Sequence, residues 1–366
     1  MNSNPTVLQI SRDAVAHNLH FFRSRIGKHT KLLAVIKASG YGSDAIAMGK
    51  LLEYEKIDYF AVAYADEGIA LRDAGIKTPV LVLHPQINNL DLMIRHELEP
   101  NLYSRKVLDA FLALSRDQGS KNYPVHLKFN TGLNRLGFRA ADLDFLHATL
   151  KEEGSVQVRS IFSHLMASED ENEREFTENQ IREFTAIGKR FELLFGFHPM
   201  MHMSNTSGIL RYPEAHFDMV RLGLGLYGFA NDKAFTSQLR NVLTLKTVIS
   251  QIHEIAENAN VGYNRGFTAK RAMRTATLPL GHADGIPRSL GHSRIHVKVN
   301  GQKAPVIGNV CMDMIMIDVT DIPCGEGDEV ILFDSHEMIL EMAKQGNTIS
   351  YEVLTALSPR IRREIV

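Results

Sequence analysis

The stretch Lys31-Leu-Leu-Ala-Val-Ile-Lys-Ala-Ser-Gly-Tyr-Gly42 sets the reading of the whole chain. Leu32 to Ile36 is a short apolar run rich in branched side chains, the composition of a parallel strand buried on both faces. The run stops at Lys37 and turns on Gly40 and Gly42. A strand that delivers one lysine to its carboxyl end is a place for amine chemistry. An ammonium packed against apolar neighbours loses proton affinity and becomes a usable nucleophile, for instance toward a Schiff base. A strand-end lysine in water is the ordinary alternative. The glycine turn beside it and the pattern of the remaining chain weigh against that alternative.

Outward from this strand the sequence alternates. Further strands are expected at Tyr59–Ala63, Val80–Leu83, Glu99–Tyr103, Val125–Phe129, Val158–Phe162, Met200–Met203 and Met219–Leu222. Helical spacing lies between them: Ser43–Glu55, Ala65–Ala74 closed by Gly75, Ile87–His96, a segment capped by Ser104, Ala140–Lys151, Asn172–Phe195 and a short piece from Thr206. About eight strand–helix units over roughly 230 residues match a (β/α)₈ TIM barrel, and eight short apolar strands in a row suit closure better than an open doubly wound sheet. In such a barrel the reactive face is the carboxyl end of the strands. Lys37, Asn130 with Arg135, His164, Asn205 with Thr206, and Arg221 all stand there, although none was used to choose the fold.

The texture changes near residue 230. Leu243–Ile255, Thr275–Leu280, Ile295–Val299, Val306–Val319 and Glu329–Phe333 read as strands, with Asn300-Gly301 as a tight turn, and helical spacing returns only at Glu337–Lys344. The expected organisation is α/β: a barrel over 11–230, then a mostly-β domain over 231–366, a small barrel or sandwich. The strand at residues 6–10, ahead of a helix capped by Ser11, is free to join that second domain.

The chain has 366 residues with 44% hydrophobic and 23% charged side chains and a formal net charge of −1, so no basic field favours nucleic acid or an anionic membrane. Two cysteines, Cys311 and Cys324, make no disulfide framework. The first residues lack a basic segment followed by an apolar core, and no apolar run is long enough to span a bilayer, so no leader, no membrane and a cytoplasmic location are expected.

Arg221-Leu-Gly-Leu-Gly-Leu-Tyr-Gly228 contains the letters G-x-G-x-x-G. A dinucleotide site is rejected, because the motif follows the last strand of the series and no acid stands about 20 residues on. Its physical content survives. Glycines admit an anion to backbone N–H groups, and phosphate sites of barrels commonly follow strands 7 and 8. Two arginines, a lysine and a phosphate cradle together describe a site for an anionic cofactor and an anionic substrate.

Ala34-Val-Ile-Lys-Ala-Ser-Gly-Tyr-Gly42 resembles the cofactor-lysine motif of alanine racemases, the fold-type III pyridoxal-phosphate enzymes. Lys128-Phe-Asn-Thr-Gly-Leu-Asn-Arg-Leu-Gly-Phe138 resembles their arginine motif. His202-Met-Ser-Asn-Thr-Ser207 and Val220–Gly228 resemble their phosphate and pyridine segments. Val261-Gly-Tyr-Asn264, Pro279–Gly285 and Gly308–Met314 resemble their C-terminal motifs. The resemblance runs from about residue 7 to residue 363, in order, and is especially close to the racemase part of bacterial bifunctional ligase–racemase chains, with no ligase module here.

The resemblance implies racemisation of L- and D-alanine for cell-wall peptidoglycan, with pyridoxal 5'-phosphate as cofactor and no metal. Lys37 would hold the cofactor and act as one base. Tyr263 from the partner subunit would act on the opposite face, as the two sides of a stereocentre require. Arg221 would face the pyridine nitrogen, with His164 beside it. Arg135 would contact the phenolic oxygen and the substrate carboxylate, and the backbone N–H of Met312 from the partner would also hold that carboxylate. Tyr41, Asn205, Thr206, Gly223 and Leu224 would surround the phosphate, and Lys128 matches a lysine carbamylated in some members. A homodimer with shared sites follows. Three departures bear on entrance shape and substrate range: His282 and Pro359 where tyrosines are common, and Asn130 where aspartate is. His282 reads as a strand-end histidine with a local hydrogen bond, Cys311 as a packed strand residue. The alternatives are a racemase of serine, lysine or a broader set, and a non-catalytic pyridoxal-phosphate-binding protein, which the Val261–Tyr263 and Cys311–Asp313 segments disfavour.

Overall fold

The computed structural model describes residues 4–366; Met1–Ser3, the beginning of the segment read for a leader, lie outside them. The chain packs as two units, one holding Ala16–Gly40 and Ala45–Leu239, the other the N-terminal chain to Val15, Tyr41–Asp44 and Arg240–Val366.

The first unit is the barrel. Following the N-terminal strand β1 (Val7–Ile10), its strands are β2 (Lys31–Val35), β3 (Tyr59–Val62), β4 (Val80–Val82), β5 (Glu99–Leu102), β6 (Tyr123–Lys128), β7 (Val156–Phe162), β8 (Met200–His202) and β9 (Met219–Leu222). Parallel ladders join them in the order β8-β7-β6-β5-β4-β3-β2-β9. Backbone bonds from Asp218 N–H to Met201 O (3.1 Å) and from Arg221 N–H to Ser204 O (3.1 Å) draw the remaining β8–β9 edges together. Each expected strand is present within a few residues. The helices begin where side chains can take up free N–H groups: Ser104 Oγ accepts from Val107 N–H, and Asn205 Oδ1 from Gly208 N–H.

Side chains two apart on a strand share a face. Glu99 and Asn101, His126 and Lys128, Ser160 and Phe162 are such pairs, and with His202 they are buried. The lumen of a TIM barrel is ordinarily packed with branched apolar side chains; here polar groups take part of it.

The second unit is one nine-stranded sheet, in the order β11-β14-β17-β16-β15-β18-β10-β1-β19. Its strands are β10 (Leu243–Val248), β11 (Gln251–Ile255), β14 (Met273–Leu278), β15 (His296–Val299), β16 (Gln302–Ile307), β17 (Ile315–Asp318), β18 (Glu329–Phe333) and β19 (Arg362–Ile365), with the small pair β12 (Asn260–Val261) and β13 (Phe267–Thr268) apart. β1 joins this sheet, Val7 opposite Lys246 on one side and Arg362 on the other. Asn300 (φ 49°) and Gly301 (φ 77°) form the β15–β16 turn.

Three readings change. Leu243–Ile255 is two strands, and so is Val306–Val319, where Gly308 (φ 64°) turns the chain out into a loop before β17. In Leu243–Ile255 the apolar–polar alternation runs straight through the break, although β10 is half-buried and β11 has no buried residue. The helix Ser350–Thr355 and the strand β19 were not anticipated; Arg-Arg-Glu-Ile carries no apolar alternation, being a half-exposed strand beside β1.

Candidate active site

Lys37 follows β2, and the backbone then enters a left-handed turn: φ is 53° at Ala38, 53° at Ser39, 65° at Gly40, 54° at Tyr41 and 79° at Gly42. Such geometry costs an L-residue roughly 1–2 kcal/mol, so Ala38, Ser39 and Tyr41 keep it only where surrounding bonds over-determine it. In the barrel unit, Gly40 N–H donates to Ile36 O (3.0 Å). The Glu67 carboxylate accepts from the N–H groups of Ala38 (2.6 Å), Ala63 (2.6 Å) and Tyr64 (3.3 Å), tying the ends of β2 and β3 together. Sequence reasoning missed Glu67. Its signal was its place at the third position of the helix Ala65–Asp73, from which a carboxylate reaches back to the preceding backbone.

The Lys37 amine is half-buried. Loss of water is the leading reason its proton affinity falls below the ordinary lysine value; the Arg135 charge adds to this and Glu67 opposes it. Lys128, at the end of β6, is only 6% exposed. Burial first, then Arg221 and Arg135, hold its proton affinity well below normal.

Arg135 rides on a loop closed by two backbone bonds, Asn130 N–H to Phe138 O and Phe138 N–H to Lys128 O, both 2.8 Å. Asn130 Oδ1 accepts from Gly132 N–H (3.2 Å) and Asn134 N–H (2.9 Å), an Asx turn an asparagine makes as readily as an aspartate. Gly137 has φ 128°, and a Cβ there would lie 2.7 Å from the Asn130 nitrogen. Gln180, on the long helix Arg174–Phe195, fixes the loops after β6 and β7 by donating to Thr131 O (2.9 Å) and accepting from Met166 N–H (3.0 Å).

Arg221 is 4% exposed and its guanidinium donates in four directions: to His202 Nδ1 (2.9 Å), His164 Nδ1 (2.8 Å), Ser163 O (2.8 Å) and Met203 O (3.0 Å). Burial, then the Arg135 charge, lowers its pKa to about 9, which leaves it cationic at neutral pH. His164 and His202 are pushed well below the ordinary histidine value, by loss of water first and by Arg221 next. The resemblance sets His164 beside Arg221. In the structure Arg221 carries the charge and His164 is a neutral acceptor.

After β8 and β9 two backbone turns come together: Gly225 N–H donates to Thr206 Oγ1 (3.3 Å). The helix Thr206–Arg211 and the 3₁₀ turn Leu224–Tyr227 thus start side by side, with Gly223 just ahead of the second. Asn205 serves this arrangement as the helix cap, its Oδ1 also accepting from Ser168 Oγ (2.9 Å).

Tyr41, Tyr263 and Met312 belong to the second unit. There the Tyr41 ring lies 6.0 Å from that of Tyr351, Arg363 donates to Gly42 O and Ser43 O (both 2.9 Å), and a Cβ at Gly42 would lie 1.9 Å from Leu354 O. Tyr263 is 72% exposed on a turn whose carbonyl accepts from Asn309 Nδ2 (2.9 Å). Met312 is 60% exposed, and its carbonyl accepts from Ala283 N–H (3.0 Å) while His282 N–H bonds Cys311 O (2.9 Å). Beside Pro359, Arg360 clamps both Asp284 (2.6 Å) and Asp313 (2.5 Å).

Chemically, the barrel end offers a half-buried amine of reduced basicity, arginines and a second lysine, neutral imidazoles, and helix-start N–H groups. That donor set fits a group with a carbonyl for the amine, a ring acceptor for Arg221 and an anionic end for the paired turns.

Two family models match: "Alanine racemase, N-terminal domain" over residues 10–231 and "Alanine racemase, C-terminal domain" over residues 242–365. Alanine racemase 2 of Caldanaerobacter subterraneus subsp. tengcongensis is 33% identical over 98% of this chain and 94% of its own. The solved alanine racemase of Clostridium difficile 630 superposes with a TM-score of 0.94 at 30% identity, covering 100% of this chain and 96% of that one. That of Bartonella henselae, solved with covalently bound pyridoxal phosphate, gives 0.86 at 26% identity over 99% of each.

Proposed function

The chain belongs to the alanine racemase family, and we propose that it interconverts L- and D-alanine using pyridoxal 5'-phosphate. The observation that carries the proposal is Lys37: an amine at the carboxyl end of a barrel strand, its basicity lowered by burial, beside the Arg135 charge.

Pyridoxal phosphate, when bound, supplies an aldehyde for an amine and a conjugated ring that draws electron density away from the bond to the Cα proton. Lys37 holds it, and once displaced by substrate the free amine carries a proton to or from one face of Cα. Tyr263 of the partner subunit does so on the other face. Arg221 only donates, so the ring nitrogen facing it accepts and stays without a proton of its own. His164, neutral, keeps Arg221 oriented. Arg135 and the backbone N–H of Met312 of the partner subunit hold the substrate carboxylate, and Tyr41, Thr206, Gly223 and Leu224 bind the phosphate, with Asn205 capping the helix that starts there. Lys128 braces Arg135, as an amine or a carbamate.

This division of labour assigns cofactor binding to residues 11–230 and the second base to residues 231–366 of the other copy, in a homodimer. No helix among the described residues is long and apolar enough to cross a membrane. We place the reaction in the cytoplasm, supplying D-alanine for peptidoglycan. A panel of D- and L-amino acids, assayed with and without added pyridoxal phosphate, tests the reading. Alanine turnover that needs the cofactor supports it; serine or lysine turnover without alanine, or cofactor binding without turnover, overturns it.

A further inference from the structure

Behind Arg221 the barrel lumen holds ionisable side chains that the reaction above does not use. His202 Nε2 lies 3.0 Å from Ser160 Oγ; Ser160 Oγ lies 2.6 Å from His126 Nδ1; His126 Nε2 lies 2.6 Å from Glu99 Oε2. With the Arg221–His202 bond of 2.9 Å, five side chains from β9, β8, β7, β6 and β5 form one unbroken line. All five are buried: His126, Ser160 and His202 at 0%, Arg221 at 4% and Glu99 at 7% exposure.

The proton positions along this line follow from its ends. A guanidinium has no acceptor, so His202 Nδ1 must accept. Buried against that cation, His202 stays neutral and carries its one proton on Nε2. Ser160 Oγ must then accept from His202, and its own hydrogen, turned to His126 Nδ1, completes the line. His126 presents Nε2–H to the Glu99 carboxylate, 2.6 Å away. Every hydrogen bond points the same way, from Arg221 to Glu99, the arrangement in which each bond polarises the next. Charge at the far end is visible in its neighbours: Tyr59, which bonds both Glu99 and Arg159, is pushed up to about 12 by burial and then by the Glu99 charge. Arg72 and Tyr123 also feel Glu99.

We propose that Glu99, His126 and Ser160 are positioning residues for the reaction, which fix His202 in its Nε2–H form and so hold Arg221 cationic and aimed at the cofactor ring. The proposal rests on the racemase reading for its consequence, though the proton pattern stands on the chain's own geometry. Ser160 is the link whose removal cuts the line while leaving both charged ends in place.

The test is ¹⁵N NMR of histidine-labelled full-length holoenzyme, together with kinetics of S160A, S160T and E99Q. We expect His202 to be neutral with Nε2 protonated, and His126 to carry a proton on Nε2. S160A is expected to lower kcat about tenfold with little change in KM, and to shift the pH midpoint of the bound cofactor's absorbance. S160T, which retains the hydroxyl, restores both. E99Q retains an acceptor oxygen and gives an intermediate effect. A His126 protonated on Nδ1, a doubly protonated His202, or an S160A enzyme with parental kcat and absorbance midpoint overturns the proposal. If S160A does not fold, the parental tautomers and S160T decide. Absence of racemisation with the expected tautomers would reject the functional reading and leave the proton line intact.

Discussion

Arg221→Ala removes one side chain and strands four acceptors: His202 Nδ1, His164 Nδ1, Ser163 O and Met203 O. A buried acceptor left without a partner costs about 1 kcal/mol at the low end, so the four sum to about 4 kcal/mol if none is satisfied anew. The hole is polar and large enough for water, which recovers part of this. The expected loss is about 2–4 kcal/mol in urea unfolding of the full chain. Arg221→Lys offers three donors for four acceptors, and should lose about 1–2 kcal/mol. Arg221 is also the second cause, after burial, of the lowered proton affinity of His164 and His202. Both imidazoles should therefore titrate at higher pH in Arg221→Ala, which histidine NMR reads directly. An alanine variant within about 0.5 kcal/mol of the parent, with unmoved histidine titrations, would show that Arg221 does not hold these four acceptors.

The same two histidines set a pH dependence. Both are neutral in the fold and protonate near pH 6.5 in the unfolded chain. The unfolded state thus binds more protons below that pH, and stability falls as the pH drops from about 6.5, by up to roughly 2.7 kcal/mol per unit for two groups; flat stability between pH 6.5 and 5 would contradict this. Gly137→Ala forces a Cβ within 2.7 Å of backbone at φ 128°. It should cost about 2–4 kcal/mol and weaken alanine binding through Arg135, visible as a raised KM. Glu67→Gln removes one of the two carboxylate oxygens that bond Ala38, Ala63 and Tyr64. It should destabilise by about 1–3 kcal/mol and slow the covalent capture of pyridoxal phosphate, measured by the growth of its absorbance.

The barrel was legible because most of its strands are short apolar runs separated by helical spacing, with Lys37, His164 and Arg221 marking one end. The breaks inside Leu243–Ile255 and Val306–Val319 were not, since apolar residues continue across both turns. The lumen was hidden for a related reason. Glu99, His126 and Ser160 look like isolated polar interruptions along the chain, and only the parallel register, Asn101 beside His126 and His126 beside Ser160, stacks them. Gln180 and the Glu67–Ala38 bond join groups far along the sequence, which spacing cannot foretell, whereas the bonds of Glu67 to Ala63 and Tyr64 are local. The roles of Tyr263 and Met312 came from motif resemblance alone, and both are exposed in the chain.

In the proposed reaction two different bases, Lys37 and Tyr263 of the partner subunit, serve the two faces of Cα. The most direct measurement is Cα–H exchange in D₂O, followed by NMR from L-alanine and from D-alanine separately, in the parent and in Tyr263→Phe. Tyr263→Phe should still exchange one enantiomer, through Lys37, and lose exchange of the other. Equal exchange of both enantiomers by Tyr263→Phe would contradict the two-base assignment.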